Sequence, residues 1–271
     1  MIKFYKISGI ILILLVTLLL LAPFILKPRV IKILKEEANN YELAKIDFNK
    51  DISISFFSSF PDLNIGVEDF SIIGKNDFEG DTLFATNELN FSVDIKEIIG
   101  NERANIKFIE LNQPFVNLKV NADGKANWDI IPSDTSESED SSSLSFGLEK
   151  IEIENARFVY NDIPLLYSTS IDDLDIVASG DLESDNFELE AELNGENFQM
   201  SYHHLPIFTG VLANLNVIID MDMKNMKFAF KKGEAIINDL EIESTGFVQL
   251  NEEDMNFDLK FTSPNTAFKN I

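Results

Sequence analysis

From residue 52 almost to the end of the chain, apolar residues recur at every second position, and over that length this period fits strands and not helices. Ile52, Ile54 and Phe56 alternate with serines, and Leu63, Ile65 and Val67 alternate with Asn64 and Gly66. The rule repeats at Leu89, Phe91, Val93 and Ile95, and at Val116, Leu118 and Val120. It returns at Phe187, Leu189, Ala191 and Leu193, and at Val217, Ile219, Met221 and Met223. Met226, Phe228 and Phe230 continue it, as do Met255, Phe257, Leu259 and Phe261. Successive strand side chains point to opposite faces, so each run predicts one apolar face and one wet face. Turn signals divide the runs: Asn76-Asp77, Glu79-Gly80-Asp81, Asp123-Gly124, Ser179-Gly180-Asp181, Asn194-Gly195 and Lys232-Gly233. No long helical period intervenes, which predicts an all-β fold built on an antiparallel sheet.

Only the N-terminus breaks this pattern. Residues 7–26 read ISGIILILLVTLLLLAPFIL, without a charge. Twenty helical residues reach about 30 Å, the hydrocarbon thickness of a bilayer. A cleaved signal peptide would need a shorter apolar core and a small-residue cleavage site, and Ala22 is followed by Pro23-Phe24-Ile25-Leu26. The segment therefore predicts one transmembrane helix, with residues 1–6 as a tip before it. Residues 28–40 predict a short amphipathic helix, with Pro28 in its first turn and Val30, Ile31, Leu34 and Ala38 on one face. That helix fits two roles equally, an interfacial helix whose lysines meet lipid phosphates or a plug on the end of the β core.

Charge is divided in the same way. Residues 1–35 carry six Lys/Arg and no acid, so the rest of a chain of net charge −24 holds 16 basic and 46 acidic residues. A body so acidic repels nucleic acid and anionic headgroups. Apolar residues make up 45%, which excludes global disorder, and the absence of Cys excludes disulfides and thiolate metal sites. Residues 133–143, SDTSESEDSSS, predict a linker or exposed loop between a β region at 41–132 and another at 144–271. Ile109-Glu110-Leu111-Asn112 before Phe115-Val116 is echoed by Ile151-Glu152-Ile153-Glu154 before Phe158-Val159, one residue out of step.

No constellation announces catalysis. His203-His204 are the only histidines, and adjacent strand residues point apart, so a turn or surface pair fits better than a metal site. Asp172-Asp173 and Glu252-Glu253-Asp254 lie at turns, where solvation explains them, and no pair can be singled out as glycosidase carboxylates. Asp123-Gly124-Lys125 lacks phosphate-loop spacing, and no serine sits in a nucleophile elbow. Trp128, the one tryptophan, reads as a buried aromatic after an Asp-Gly turn. These readings predict a protein that is not an enzyme, with no catalytic residue, metal or cofactor.

Four features together resemble the AsmA family of bacterial envelope proteins, in the style of members from the Bacteroidetes group of Gram-negative bacteria. They are the apolar segment directly before the β region, Ser58-Ser59-Phe60-Pro61-Asp62-Leu63, Phe78-Glu79-Gly80-Asp81-Thr82-Leu83-Phe84-Ala85, and the stretch from Asn112-Gln113-Pro114-Phe115-Val116 to Asp123-Gly124-Lys125-Ala126-Asn127-Trp128. The resemblance covers residues 1–132 by motif and the rest by strand texture. It implies relationship to TamB and to chorein-type, bridge-like lipid transfer proteins, and with it a long curved antiparallel sheet in the form of an open groove or half-barrel. It also implies an inner-membrane anchor with residues 1–6 as a cytoplasmic tip and the β domain in the periplasm, and a role in outer-membrane biogenesis and lipid homeostasis. The expected partners are phospholipid acyl chains, the inner membrane and other envelope proteins. Family members are commonly longer, so the resemblance further implies that 144–271 is an incomplete β region. About eight strands at roughly 4.8 Å would give under 40 Å of sheet.

An acyl groove on such a sheet would be lined by Phe91, Val93, Leu118, Leu189, Met221, Met223, Phe228, Phe230, Phe257 and Leu259. Met221, Met223 and Met226 fit an adaptable groove and an ordinary core equally well. A scaffold or assembly factor for outer-membrane proteins is the alternative. It requires a closed sandwich with an ordinary packed core, where the groove requires an open apolar face.

Overall fold

The computed structural model describes residues 27–28, 30–32, 43–49, 52–55, 62–94, 104–130, 144–182, 184–251 and 254–264. The chain runs through β1 (Ala44–Asp47), β2 (Ser53–Ser55), β3 (Asp62–Gly74), β4 (Thr82–Asp94), β5 (Ala104–Asn112), β6 (Phe115–Val120) and β7 (Leu144–Asp162). It continues through β8 (Tyr167–Ser179), β9 (Asn186–Tyr202), β10 (Leu205–Asp222), β11 (Lys227–Ile237), β12 (Leu240–Leu250) and β13 (Met255–Thr262). All thirteen join one sheet in the order β1-β3-β4-β5-β7-β8-β9-β10-β11-β12-β13, with β2 also on β3 and β6 between β4 and β7. Eleven strands abreast give a sheet about 48 Å wide, broader than eight strands predict.

The sheet is mixed, where the sequence predicts an antiparallel one. β7 runs parallel to β5, with Ile109 beside Ile151 and Leu111 beside Ile153, and parallel to β6, with Val116 beside Phe158. Alternation records which face a side chain takes and carries nothing about strand direction. The two echoing segments of the sequence are therefore neighbours in one parallel seam, joined by a long connection that includes residues 133–143. That linker, the transmembrane stretch 7–26, the tip 1–6 and most of 28–40 lie outside the described residues. Pro28 and Val30–Lys32 are helical. Among the described residues no helix is long and apolar enough to cross a membrane.

The one-residue slip between the echoes has a structural cause. Asp69, Gln113, Asn155, Asp173 and Asn197 all have φ near +50°, and Gly210 has φ 64°. They occupy β3, the β5–β6 joint, β7, β8, β9 and β10; those in β7 to β10 lie at jumps in register such as Ile153/Ala156 in β7 and Asp172/Asp175 in β8, and Asp69 lies in the gap between the pairs Glu68/Glu88 and Phe70/Thr86. Each is a bulge-type irregularity that inserts a residue and shifts the alternation by one. Asn and Asp tolerate this left-handed backbone better than branched residues do. Side chains stabilise the line: the Asn155 N–H donates to Asp175 Oδ1 (2.8 Å), and Asn197 Nδ2 donates to Asp172 Oδ2 (2.6 Å). Together the bulges form a crease running across the strands.

Two predicted turns are not turns. Asn194-Gly195 lies inside β9 and Lys232-Gly233 inside β11. Gly195 leaves room for the Ile171 side chain and Gly233 for Ser244, so close packing rather than chain reversal requires glycine there. Met226 belongs to the β10–β11 turn, with φ 47°. His203 and His204 close the β9–β10 hairpin, both at positive φ. The buried core lies at the N-terminal side of the sheet, where Val30 and Ile52 cover Leu63, Ile65, Phe91, Val93 and Ile106.

Candidate functional site: the open apolar face

Residues paired in register share a face, so the register sorts side chains across the whole sheet. One row runs Val67, Leu89, Leu111, Ile153 and Ile176, from β3 to β8. It continues through Leu193, Leu215, Ala235 and Ile242 to β12 without a polar member. The row beside it starts at Ile65, Phe91, Ile109 and Ile151 and passes Ala178, Ala191 and Val217. Only Gly233 and Ser244 interrupt it before Phe261 on β13. An apolar stripe thus crosses the strands from one side of the sheet to the other.

The opposite face is acidic. The corresponding row holds Asn90, Glu110, Glu152, Val177, Glu192, Asn216, Glu234 and Glu243. Lys231 sits on this face between Asp220 (2.6 Å) and Glu188 (2.7 Å). Its ammonium donates hydrogen bonds to those carboxylates, and these bonds, the one to Asp220 first, raise its pKa above the ordinary lysine value. A hollow of about 440 Å³ at this end of β9, β10 and β11 is lined by Asn186, Asp220, Asp222 and Lys227 together with Phe187 and Met221.

Burial along the stripe falls from one end to the other. Ile65, Val67, Phe91 and Val93 are covered, Ile153, Ile176, Leu193 and Leu215 are half-buried, and Phe257 and Phe261 are 63% and 64% exposed. Past β6, Ala156 and Val217 are the buried hydrophobic residues among those described. A closed sandwich would bury the whole inner face. Here β1 and β13 are the ends of the sheet order and do not pair with each other.

Six of the ten sequence-predicted groove residues come together. Met221, Phe228 and Phe257 fall in one row with Phe187 and Val248, and Leu189, Phe230 and Leu259 fall in the next with Ile219 and Gly246. Leu118 is half-buried beyond the crease, beside Tyr160 on β7. Phe91 and Val93 share the apolar face but lie in the core under Val30 and Ile52. Met223 lies in the β10–β11 turn, where its N–H donates to the Asp185 carbonyl. Phe187, Ile219, Leu215 and Ile176 belong with the six and are absent from the predicted set. The alternation of Phe187 and Ile219 is legible in the sequence, but the register that aligns all four is not.

The Asp123–Trp128 motif is structural. Asn121 Oδ1 accepts the N–H groups of Asp123 and Lys125, both at 3.0 Å, and Gly124 takes φ 78°. Asn127, 3% exposed, docks on β6: its Oδ1 accepts the Lys119 N–H (2.9 Å) and its Nδ2 donates to the Asn117 carbonyl (2.7 Å). Trp128 is 39% exposed rather than buried, because Asn127 takes the inward position and turns the indole out to meet Tyr160, with ring centres 6.1 Å apart.

An open apolar face of this kind can bind chains and has no reacting groups to offer. Among the described residues no cluster of His and carboxylates could hold a metal ion. No curated protein and no solved structure matches the chain significantly. The model of the AsmA family matches residues 1–179, from the N-terminus across the parallel seam to the end of β8. With two thirds of its length matched, the chain belongs to the AsmA family.

Proposed function

We propose that this protein holds phospholipid acyl chains along the apolar stripe, anchored in the inner membrane by residues 7–26 with its sheet in the periplasm. There it serves lipid supply to the outer membrane. The observation that carries this reading is the stripe itself, continuous across the sheet and increasingly exposed toward β13. Each methylene that leaves water against such a surface contributes about 0.8 kcal/mol. No headgroup chemistry is needed for a sliding chain, and the acidic opposite face keeps the sheet soluble. Family membership is consistent with a role in envelope lipid transport or biogenesis.

The test is site-specific photocrosslinking in the full-length chain in cells. A benzophenone side chain at Phe230, on the stripe, is expected to give phospholipid adducts by mass spectrometry. One at Asp220, on the opposite face, is expected to give none. Equal labelling at the two positions, or none at Phe230 and Phe257, would remove the basis for an acyl groove.

A further inference from the structure

We infer that one corner of the sheet rests on the same bilayer that holds residues 7–26, an inference that takes the anchorage from the proposal above. The corner is formed by the β7–β8 and β9–β10 hairpin ends together with Trp128. Ile163, Leu165, Tyr202, Leu205 and Ile207 are all exposed there, Leu165 by 58% and Leu205 by 66%. Turn residues are ordinarily polar, so two adjacent hairpins ending in Ile-Pro-Leu-Leu and Tyr-His-His-Leu-Pro-Ile call for an apolar partner.

Charge argues that the partner is a bilayer. Residues 197–219 contain no Asp, Glu, Lys or Arg, and neither do residues 163–171, in a chain that is 25% charged. The nearest carboxylate on the β7–β8 end, Asp162, is 6% exposed and is occupied by the Leu165 N–H (2.8 Å) and the Tyr160 hydroxyl (3.1 Å). An acidic body can approach anionic headgroups only through such an uncharged corner. Its aromatic members suit the interface, since indole and phenol rings pair an apolar body with a polar tip. Trp128 stacks toward Tyr160 and Tyr160 toward Tyr167, with ring centres 6.1 and 5.8 Å apart. Asp129 is exposed next to Trp128 and limits the indole to headgroup depth.

The fold also says which bilayer. Tyr160 follows Phe158, which shares a row with Val116 and Phe84 on the apolar face. Val30 packs on Leu63, Ile65 and Phe91 of that same face. The helical residues next to the anchor and the Trp128 corner therefore lie on one side of the sheet, with the acids on the other. A tethered surface on that side is met at high effective concentration, so weak insertion of a few side chains suffices. The apolar stripe then faces the membrane from which its lipid would come.

Trp128 is the one tryptophan and reports its own environment. The full-length chain is reconstituted into phosphatidylcholine vesicles with or without acyl chains brominated near the headgroup. The expected result is about a twofold loss of Trp128 emission in the brominated vesicles, as for an interfacial indole. L165D/L205D should abolish this loss while keeping its β-sheet circular dichroism, and Met221→Asp, on the stripe, should leave it intact. Quenching that survives L165D/L205D and disappears in Met221→Asp would place the brominated chain in the stripe and overturn docking of the corner. Quenching only by brominated vesicles added to plain proteoliposomes would overturn the choice of bilayer. No quenching in any arm would overturn the inference, and the adduct at Phe230 would still decide the acyl groove separately.

Discussion

Asn127 and Gly246 show how much of the sheet depends on single positions. Asn127, itself 3% exposed, supplies a side-chain donor to the Asn117 carbonyl and an acceptor to the Lys119 N–H, which β6 would otherwise leave unpaired. Asn127→Ala is expected to lower stability by about 1–3 kcal/mol in equilibrium denaturation, with crosslinking at Phe230 unchanged. Gly246 lies in the stripe at φ 125°, and a Cβ there would strike the Asp258 carbonyl on β13. Gly246→Ala should release β13 alone, seen as loss of amide protection over Met255–Thr262 while β9 and β10 stay protected. Asp222 is held below the usual carboxylate range by the Asn225 side-chain amide (2.7 Å) and backbone N–H (3.0 Å). Its contribution to the β10–β11 turn is therefore full above the unfolded carboxylate pKa and is lost as pH falls through the lower folded value. Asn225→Ala should return the Asp222 titration, followed by carboxyl NMR shifts, toward the ordinary aspartate value.

At the scale of strands, the inserted residues decide which face every later side chain takes. In β7 the apolar positions run Ile151 and Ile153, then Ala156, Phe158 and Tyr160, and Asn155 absorbs the odd step. Deleting Asn155 should send Phe158 and Tyr160 to the acidic face and leave the protein insoluble or unfolded. Asn155→Gly keeps the N–H bonded to Asp175 and accepts φ 53° without strain, so its melting temperature should be unchanged or slightly raised. Strand existence was legible in the sequence because alternation is a local property. The bulges appeared only as a phase slip between Ile-Glu-Leu-Asn and Ile-Glu-Ile-Glu, since a left-handed Asn in a strand resembles any other polar position. Asn194-Gly195 misled for the same reason: a turn dipeptide and a glycine cleared for Ile171 read alike until the neighbouring strand is known.

Across the whole molecule, what sequence could not supply was order. Phe187, Ile219, Phe230 and Leu259 each announce an apolar face, yet only pairing reveals that they adjoin and that the stripe extends back to Val67. The one parallel seam matters most here. Apart from β1–β3 and β4–β6, every antiparallel pair joins strands consecutive in the chain, whereas β5 and β7 bring together residues about forty positions apart, Ile109 with Ile151. Closing so long a loop costs entropy before any contact offsets it. The molecule should therefore assemble as two fast meanders, β1–β6 and β7–β13, which meet in one slow event. Pulse-labelled hydrogen exchange is expected to protect the β8–β9 and β3–β4 amides before those of the β5–β7 seam. During synthesis the first meander would emerge and wait with the β5–β6 edge unpaired, so the seam is also the interval in which a nascent chain is most open to mispairing with another copy.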